Sequence, residues 1–181
     1  MIKALVCLAQ GFEETEAIVP IDILRRSKMD VVVAGVDSKK ITSSHGVIVS
    51  CDIEISDADE VYDVIVLPGG MPGSTNLSNS FEVIRRVINT NQKGYVCALC
   101  AAPAVVLANT GILDGKKATC YPSMEKVAPS INFTHETRCV VDGNIITGQG
   151  PGVAEEFALT IVEQVLGQDA MKEIKKSFIA R

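Results

Sequence analysis

Apolar positions in this chain fall into two kinds of run. Strands are expected at Ile2–Leu8, Val31–Gly35, Val47–Cys51, Val64–Leu67, Tyr95–Leu99, Lys117–Cys120, Cys139–Val141 and Asn144–Thr147, several of them Val/Ile-rich without alternation. Unbroken apolar runs of that length suit strands covered on both faces. Between them, helical spacing predicts helices over Glu14–Arg26, Phe81–Asn91, Ala101–Asn109, Val153–Leu166 and Asp169–Phe178. Pro20 should kink the first helix or interrupt its hydrogen-bond ladder. The repeated strand–helix–strand order predicts an α/β fold, a doubly wound and mostly parallel sheet with helices on both faces. Asp142-Gly143 between apolar runs signals a hairpin, which adds antiparallel strands to that sheet. Residues 1–181 show no repeat, linker or low-complexity tract and read as one domain.

Composition sharpens this picture by exclusion. Apolar residues make up 47% of 181, enough for a sizeable core. The net charge of −5, with Lys and Arg scattered, leaves no footprint for nucleic acid or an anionic membrane. No apolar run approaches the roughly 18 to 20 residues needed to span a bilayer. The start shows no secretion-signal pattern, and six cysteines then suggest reduced thiols in a cytoplasmic protein.

The chemistry converges where strands end. Ligands of such sheets bind beyond the carboxyl ends of the strands. Three segments fall there: Gly11 to Glu16, Pro68 to Gly73, and Cys100. Cys100 stands where the strand Tyr95–Leu99 turns directly into a helix, the geometry of a nucleophile elbow with Cys for Ser. The corner forces an unfavourable backbone conformation, and the new helix's positive end favours a thiolate. Cys97-Ala98-Leu99-Cys100 matches C-x-x-C, but three strand residues span about 10 Å and a disulfide needs alpha carbons within roughly 7 Å. No second close Cys/His pair completes a zinc ligand set, so no metal is expected. Cys7, Cys51, Cys120 and Cys139 read as core filler.

Gly69 and Gly70 let the backbone approach a ligand and present N–H groups to an oxyanion. They lack the lysine and spacing of a phosphate loop. Glu13, Glu14 and Glu16 suit the start of a helix, and Glu16 is the one placed to turn toward the elbow. A carboxylate beside a thiolate is unfavourable, so Glu16 must be protonated to assist. Holding it neutral at pH 7 costs about 3.7 kcal/mol, which burial must supply. Only His45 and His135 are available as imidazoles, and neither has a sequence reason to meet Cys100. His45 can approach a site rim or subunit interface.

These segments together resemble the ThiJ/PfpI superfamily, in the branch of the Parkinsonism-associated deglycase and its bacterial chaperone-like relatives. Five pieces in order carry the resemblance over nearly the whole chain: Ala4 to Ala9, Gly11 to Ala17, Tyr62 to Gly70, Ala98 to Pro103, and Gly148 to Gly152. The resemblance implies a flavodoxin-like sandwich, a homodimer, and no cofactor. Cys100 matches the family's oxidation-sensitive cysteine, Glu16 the carboxyl contacting it, and Gly70 and Ala101 the amides of its oxyanion site. It implies a glyoxalase or deglycase acting on small aldehydes such as methylglyoxal or glyoxal, or a redox-responsive chaperone in which Cys100 is oxidised. Two positions depart from the pattern. Tyr121 stands where several members place a His near the cysteine, which removes an obvious base and argues against protease activity. His45 stands where an Arg is often found near the dimer-side rim.

Overall fold

In the computed structural model, which describes residues 1–59 and 61–180, seven strands form the central sheet. In chain order the strands are β1 (Lys3–Leu8), β2 (Asp30–Gly35), β3 (Lys40–Thr42), β4 (Ile48–Ser50), β5 (Ile53–Glu54), β6 (Val64–Leu67), β7 (Tyr95–Leu99), β8 (Lys117–Ala118), β9 (Asn132–Phe133), β10 (Cys139–Asp142) and β11 (Ile145–Gly148). The helices are α1 (Glu14–Arg26), α2 (Gly73–Asn79), α3 (Phe81–Asn91), α4 (Ala102–Val105), α5 (Ala154–Leu166) and α6 (Gln168–Phe178). Across the sheet the order is β10-β11-β7-β6-β1-β2-β5. All neighbours pair in parallel except β10, which returns antiparallel on β11 as the Asp-Gly turn predicts.

The absence of alternation in the central strands has a direct cause. Along β1, Ala4, Val6 and Leu8 point into a cluster with Ile21 and Leu24 of α1 and Phe157 and Ile161 of α5. Leu5 and Cys7 point the other way, toward Leu77 of α2, Val83 and Val87 of α3 and Ala102 of α4. Both faces are apolar because both are roofed by helices. Helix α1 runs through Pro20 over thirteen residues without ending, and Pro20 contributes no N–H to its hydrogen-bond ladder.

Three expectations are corrected at the periphery. The segment predicted as a strand over Val47–Cys51 lies outside the main sheet; β4 pairs only with β3, in a hairpin that leaves Val47 and Ile48 exposed. Lys117–Cys120 contributes only the two-residue β8, paired with β9. The helix expected over Ala101–Asn109 is the single turn α4 followed by a 3-10 turn at Leu107–Thr110. In the two strand cases a short run pairs with a single partner outside the main sheet, whereas the core strands are fixed by neighbours on both sides.

Because β1, β6, β7 and β11 are adjacent and parallel, their carboxyl ends lie side by side. The segments that follow them meet at one place.

Candidate active site

Cys100 occupies the residue after β7 and adopts φ +61°, in the left-handed region. That conformation costs a non-glycine residue roughly 1–2 kcal/mol and persists only where the surroundings hold it. They do so through both peptide groups. The Cys100 N–H donates to the Gly148 carbonyl at the end of β11 (2.9 Å), and its carbonyl accepts from Tyr121 N–H (2.8 Å). Ala101 and α4 follow immediately, so the side chain is turned off the strand, half-buried, at the sheet's carboxyl edge.

Glu16 approaches from α1. Glu13 caps that helix, its carboxylate accepting from Glu16 N–H (2.8 Å), while Glu13 N–H donates to the Gly69 carbonyl (2.9 Å). The first turn of α1 is thereby fastened to the loop after β6. Glu16 is fully buried and its Oε2 accepts from Gly69 N–H at 2.7 Å. Its Oε1 has no hydrogen-bond partner among the described residues, and the carboxyl group and the Cys100 thiol are close enough to shift one another.

Gly69 marks the centre of this arrangement. A Cβ there would fall 2.6 Å from Cys100 Cβ, 2.7 Å from Glu16 Oε2 and 3.0 Å from Ala101 N. No side chain fits, because the three groups converge on that point. Gly70 has φ +90° and would place a Cβ 2.5 Å from Glu13 N, so glycine is required there for conformation and space. The N–H groups of Gly70 and Ala101 both aim at the Cys100 sulfur.

The electrostatics belong to the pair. Burial pushes the Glu16 carboxyl up from 4.5 to about 7, against the pull of the Gly69 N–H and the Cys100 thiol. Burial also pushes the Cys100 thiol up, and the Glu16 carboxylate adds to this, while the Gly70 and Ala101 amides pull it down. The thiolate expected from helix α4 alone is therefore not what the site favours: one turn of helix does not offset burial beside a carboxylate. Glu16's share of that penalty exists only while it is ionised. With the proton on Glu16 the repulsion disappears, and the O–H donates to sulfur together with the two amides. The nucleophilic form of the site is thus carboxylic acid plus thiolate, sharing one proton.

Residues 2–164 match the DJ-1/PfpI family. The chain belongs to that family. Protein DJ-1 homolog B of Arabidopsis thaliana is 41% identical over 183 residues, covering 99% of this chain and 42% of its own length. The chain spans less than half of the length of the two Arabidopsis relatives it matches. The Parkinson disease protein 7 homolog of Danio rerio is 38% identical over 186 residues, covering 99% and 97%. The glutathione-independent glyoxalase DJR-1.2 of Caenorhabditis elegans is 32% identical over 168 residues, covering 91% and 88%. Among solved structures, oxidized Toxoplasma gondii DJ-1 superposes with a TM-score of 0.95 at 37% identity, covering 99% of each chain.

Within this DJ-1/PfpI site the predicted residues do not all take part equally. Cys100, Glu16, Gly69, Gly70 and Ala101 come together. Tyr121 reaches the elbow through its backbone, and its half-exposed ring lies against Gly150, where a Cβ would be 3.2 Å from ring Cδ2. His45 is exposed and pairs with Glu14 Oε1 at 3.0 Å, two residues along α1 from Glu16. His135 pairs with Glu125 at 3.3 Å. Among the described residues, neither imidazole is recorded in contact with the thiol. The contributions of Glu13 as cap and of the Gly148 carbonyl as anchor were not read from the sequence. The Gly148 to Gly152 run was visible there, but its backbone role needs the register of β11 beside β7. Among the described residues no helix is long and apolar enough to cross a membrane.

Proposed function

We propose that this chain is a glutathione-independent glyoxalase that converts methylglyoxal or glyoxal to 2-hydroxy acids. The observation that carries this reading is a buried carboxyl, raised to about 7, set against a cysteine at φ +61°. An acid–base group near neutrality both removes and returns protons at working pH. The similarity to the nematode glyoxalase supports the same substrate class.

In this scheme the Cys100 sulfur attacks the aldehyde carbon, and the oxygen takes up a proton, giving a hemithioacetal. Glu16, now a carboxylate, removes the hydrogen from that carbon, giving an enediolate. It then returns the proton to the adjacent carbon, which leaves a thioester of the 2-hydroxy acid. One carbon is oxidised and its neighbour reduced, so no external redox partner enters. Water cleaves the thioester and restores the thiol. The amides of Gly70 and Ala101 stabilise the oxygen charge in the attack and hydrolysis steps. Deglycation of adducts formed by the same aldehydes would draw on the same groups. A homodimer and a cytoplasmic location remain part of this proposal.

Methylglyoxal consumption with chiral lactate detection tests it, comparing wild type with Cys100→Ser and Glu16→Gln. Turnover lost in both variants is expected. No turnover in wild-type protein whose Cys100 still alkylates overturns the enzyme reading.

The same geometry favours a second reading, redox sensing. A sulfinate on Cys100 would meet the Glu16 O–H and the two amides, donors suited to its oxygens. Mild peroxide and intact mass decide it: preferential uptake of two oxygens at Cys100 is expected of a sensor, and none there ends that reading.

A further inference from the structure

Twenty residues past the elbow, the chain gathers three metal-ligating side chains that take no part in the chemistry above. Cys120 Sγ, a Glu125 carboxylate oxygen and a His135 ring nitrogen all lie within 4.8 Å of one another. We propose that they form a binding site for a borderline-soft divalent cation of the zinc class.

The strand pairing explains how residues so far apart in sequence meet. Strands β8 and β9 run parallel with Lys117 opposite Asn132 and Ala118 opposite Phe133. The pairing continues as Thr134 N–H donates to the Ala118 carbonyl (2.8 Å). Two residues beyond the last pair, the same register sets Cys120 beside His135. Between them, the 3-10 turn Met124–Val127 carries Glu125 back over the sulfur. Gln149 holds the His135 segment from behind, its Nε2 donating to the carbonyls of His135 (3.3 Å) and Thr137 (3.1 Å).

Donor chemistry and spacing both suit the ion. Thiolate, imidazole and carboxylate are the ligand types zinc accepts, and three protein ligands leave a fourth position for water. Tetrahedral bonds of about 2.0–2.3 Å put neighbouring donors roughly 3.3–3.8 Å apart. His135 Nε2 and Glu125 Oε2 are 3.3 Å apart. A simple ion pair accounts for those two partly exposed groups but not for a fully buried thiol brought against them. Binding would release the Cys120 proton to solvent. The following residue, Tyr121, holds the Cys100 carbonyl, so an ion here would fasten the segment that supports the elbow. This site stands independently of the glyoxalase reading, since Cys100 and Glu16 are not among its ligands.

Cobalt(II), titrated into the reduced full chain, is the probe. Its thiolate charge-transfer band reports sulfur ligation, which the other cluster of donors (Glu13, Glu14 and His45) cannot give. We expect one cobalt per chain with that band, displaced by zinc and unchanged in Cys100→Ser. The band should vanish in Cys120→Ala. Affinity should fall at least tenfold in His135→Ala and in Glu125→Gln, both partly exposed positions where folding is not at risk. A band that follows Cys100, survives loss of His135 and Glu125 undiminished, or never forms overturns the site.

Discussion

Cys97 and Cys100 are three residues apart on the same stretch of chain, and nearly everything about their surroundings differs. Cys97 lies within β7, paired in register with Val66 and Ile146, fully buried in an apolar cluster. Burial alone pushes its thiol far up, and no polar group offsets it. Cys100 lies one residue past the strand, at φ +61°, with a carboxyl and two amides directed at its sulfur. Reactivity is conferred by position relative to the end of the sheet, and the residue type only makes it available.

The largest effect expected from this contrast is a difference in kind between two substitutions. Cys100→Ala should lower kcat/KM for methylglyoxal by at least about a thousandfold, with little loss of stability, since Ala meets the same backbone conformation as Cys and the side chain removed is only partly buried. Cys97→Ser should leave kcat/KM within about twofold but cost roughly 1–3 kcal/mol, because it buries a hydroxyl among apolar groups without a partner. Denaturant unfolding and steady-state kinetics on both proteins measure this. Comparable activity losses in the two variants would mean that the elbow does not single out Cys100.

Glu16→Gln sharpens the comparison from the other side of the sulfur. Loss of a general acid–base should lower kcat by about 10²- to 10⁴-fold. The same change should raise stability at alkaline pH. An unfolded chain releases the Glu16 proton near 4.5, whereas the folded chain holds it to about 7. Between those values the folded state binds more protons, so wild-type stability falls as pH rises through the window. Above about 7 the full penalty is present, about 3 kcal/mol for a shift of this size. Gln keeps an acceptor for Gly69 N–H and carries no charge, so its unfolding free energy should stay flat over the same range in this respect. Unfolding curves for both proteins at pH 5 and pH 8 check it: a stability gap that does not widen toward pH 8 would show that Glu16 is ionised at no cost.

Gly69→Ala tests the convergence itself. The added methyl meets the Cys100 Cβ, a buried carboxyl oxygen and a backbone nitrogen, none of which is the free end of a flexible chain. Overpacking of this kind costs roughly 1–3 kcal/mol and should reduce kcat/KM by about a hundredfold, through displacement of about an ångström at the reacting groups. Retained activity with an undisturbed Cys100 would mean that Glu16 and Cys100 need not touch.

The sequence was most legible where constraints were doubled. Strands β1, β6 and β7 are apolar on both faces and flanked by parallel neighbours, so their runs identify them within a residue or so. The elbow followed from the same logic, because a strand that ends at Leu99 and a helix that starts at Ala102 leave Cys100 nowhere else to turn. Glu16 was found as a residue, but its neutral state depends on complete burial beneath the Gly69 loop, which no local pattern encodes. β3 with β4 and β8 with β9 were missed or overextended because their partners are local and their runs short. The Cys120, Glu125 and His135 trio was invisible for a related reason: spacings of five and ten residues resemble no ligand motif until the register of β8 on β9 closes them together.

Tyr121 supplies the smallest effect and the finest test. By resemblance it occupies a position where an imidazole would sit near the cysteine, which suggests a side chain acting on the sulfur. Its recorded bond to the elbow instead runs from the main chain, the Tyr121 N–H to the Cys100 carbonyl, while half of the side chain is exposed. Phe keeps that N–H and the ring surface against Gly150, so Tyr121→Phe should change kcat/KM by no more than about twofold and stability by less than about 0.5 kcal/mol. Tyr121→Pro removes that N–H together with the ring and should release the Cys100 carbonyl, with an activity loss well beyond that of Phe. If Phe instead proves as damaging as Pro in the same assay, the phenol takes part in proton transfer, and Glu16 is no longer sufficient as the site's acid and base.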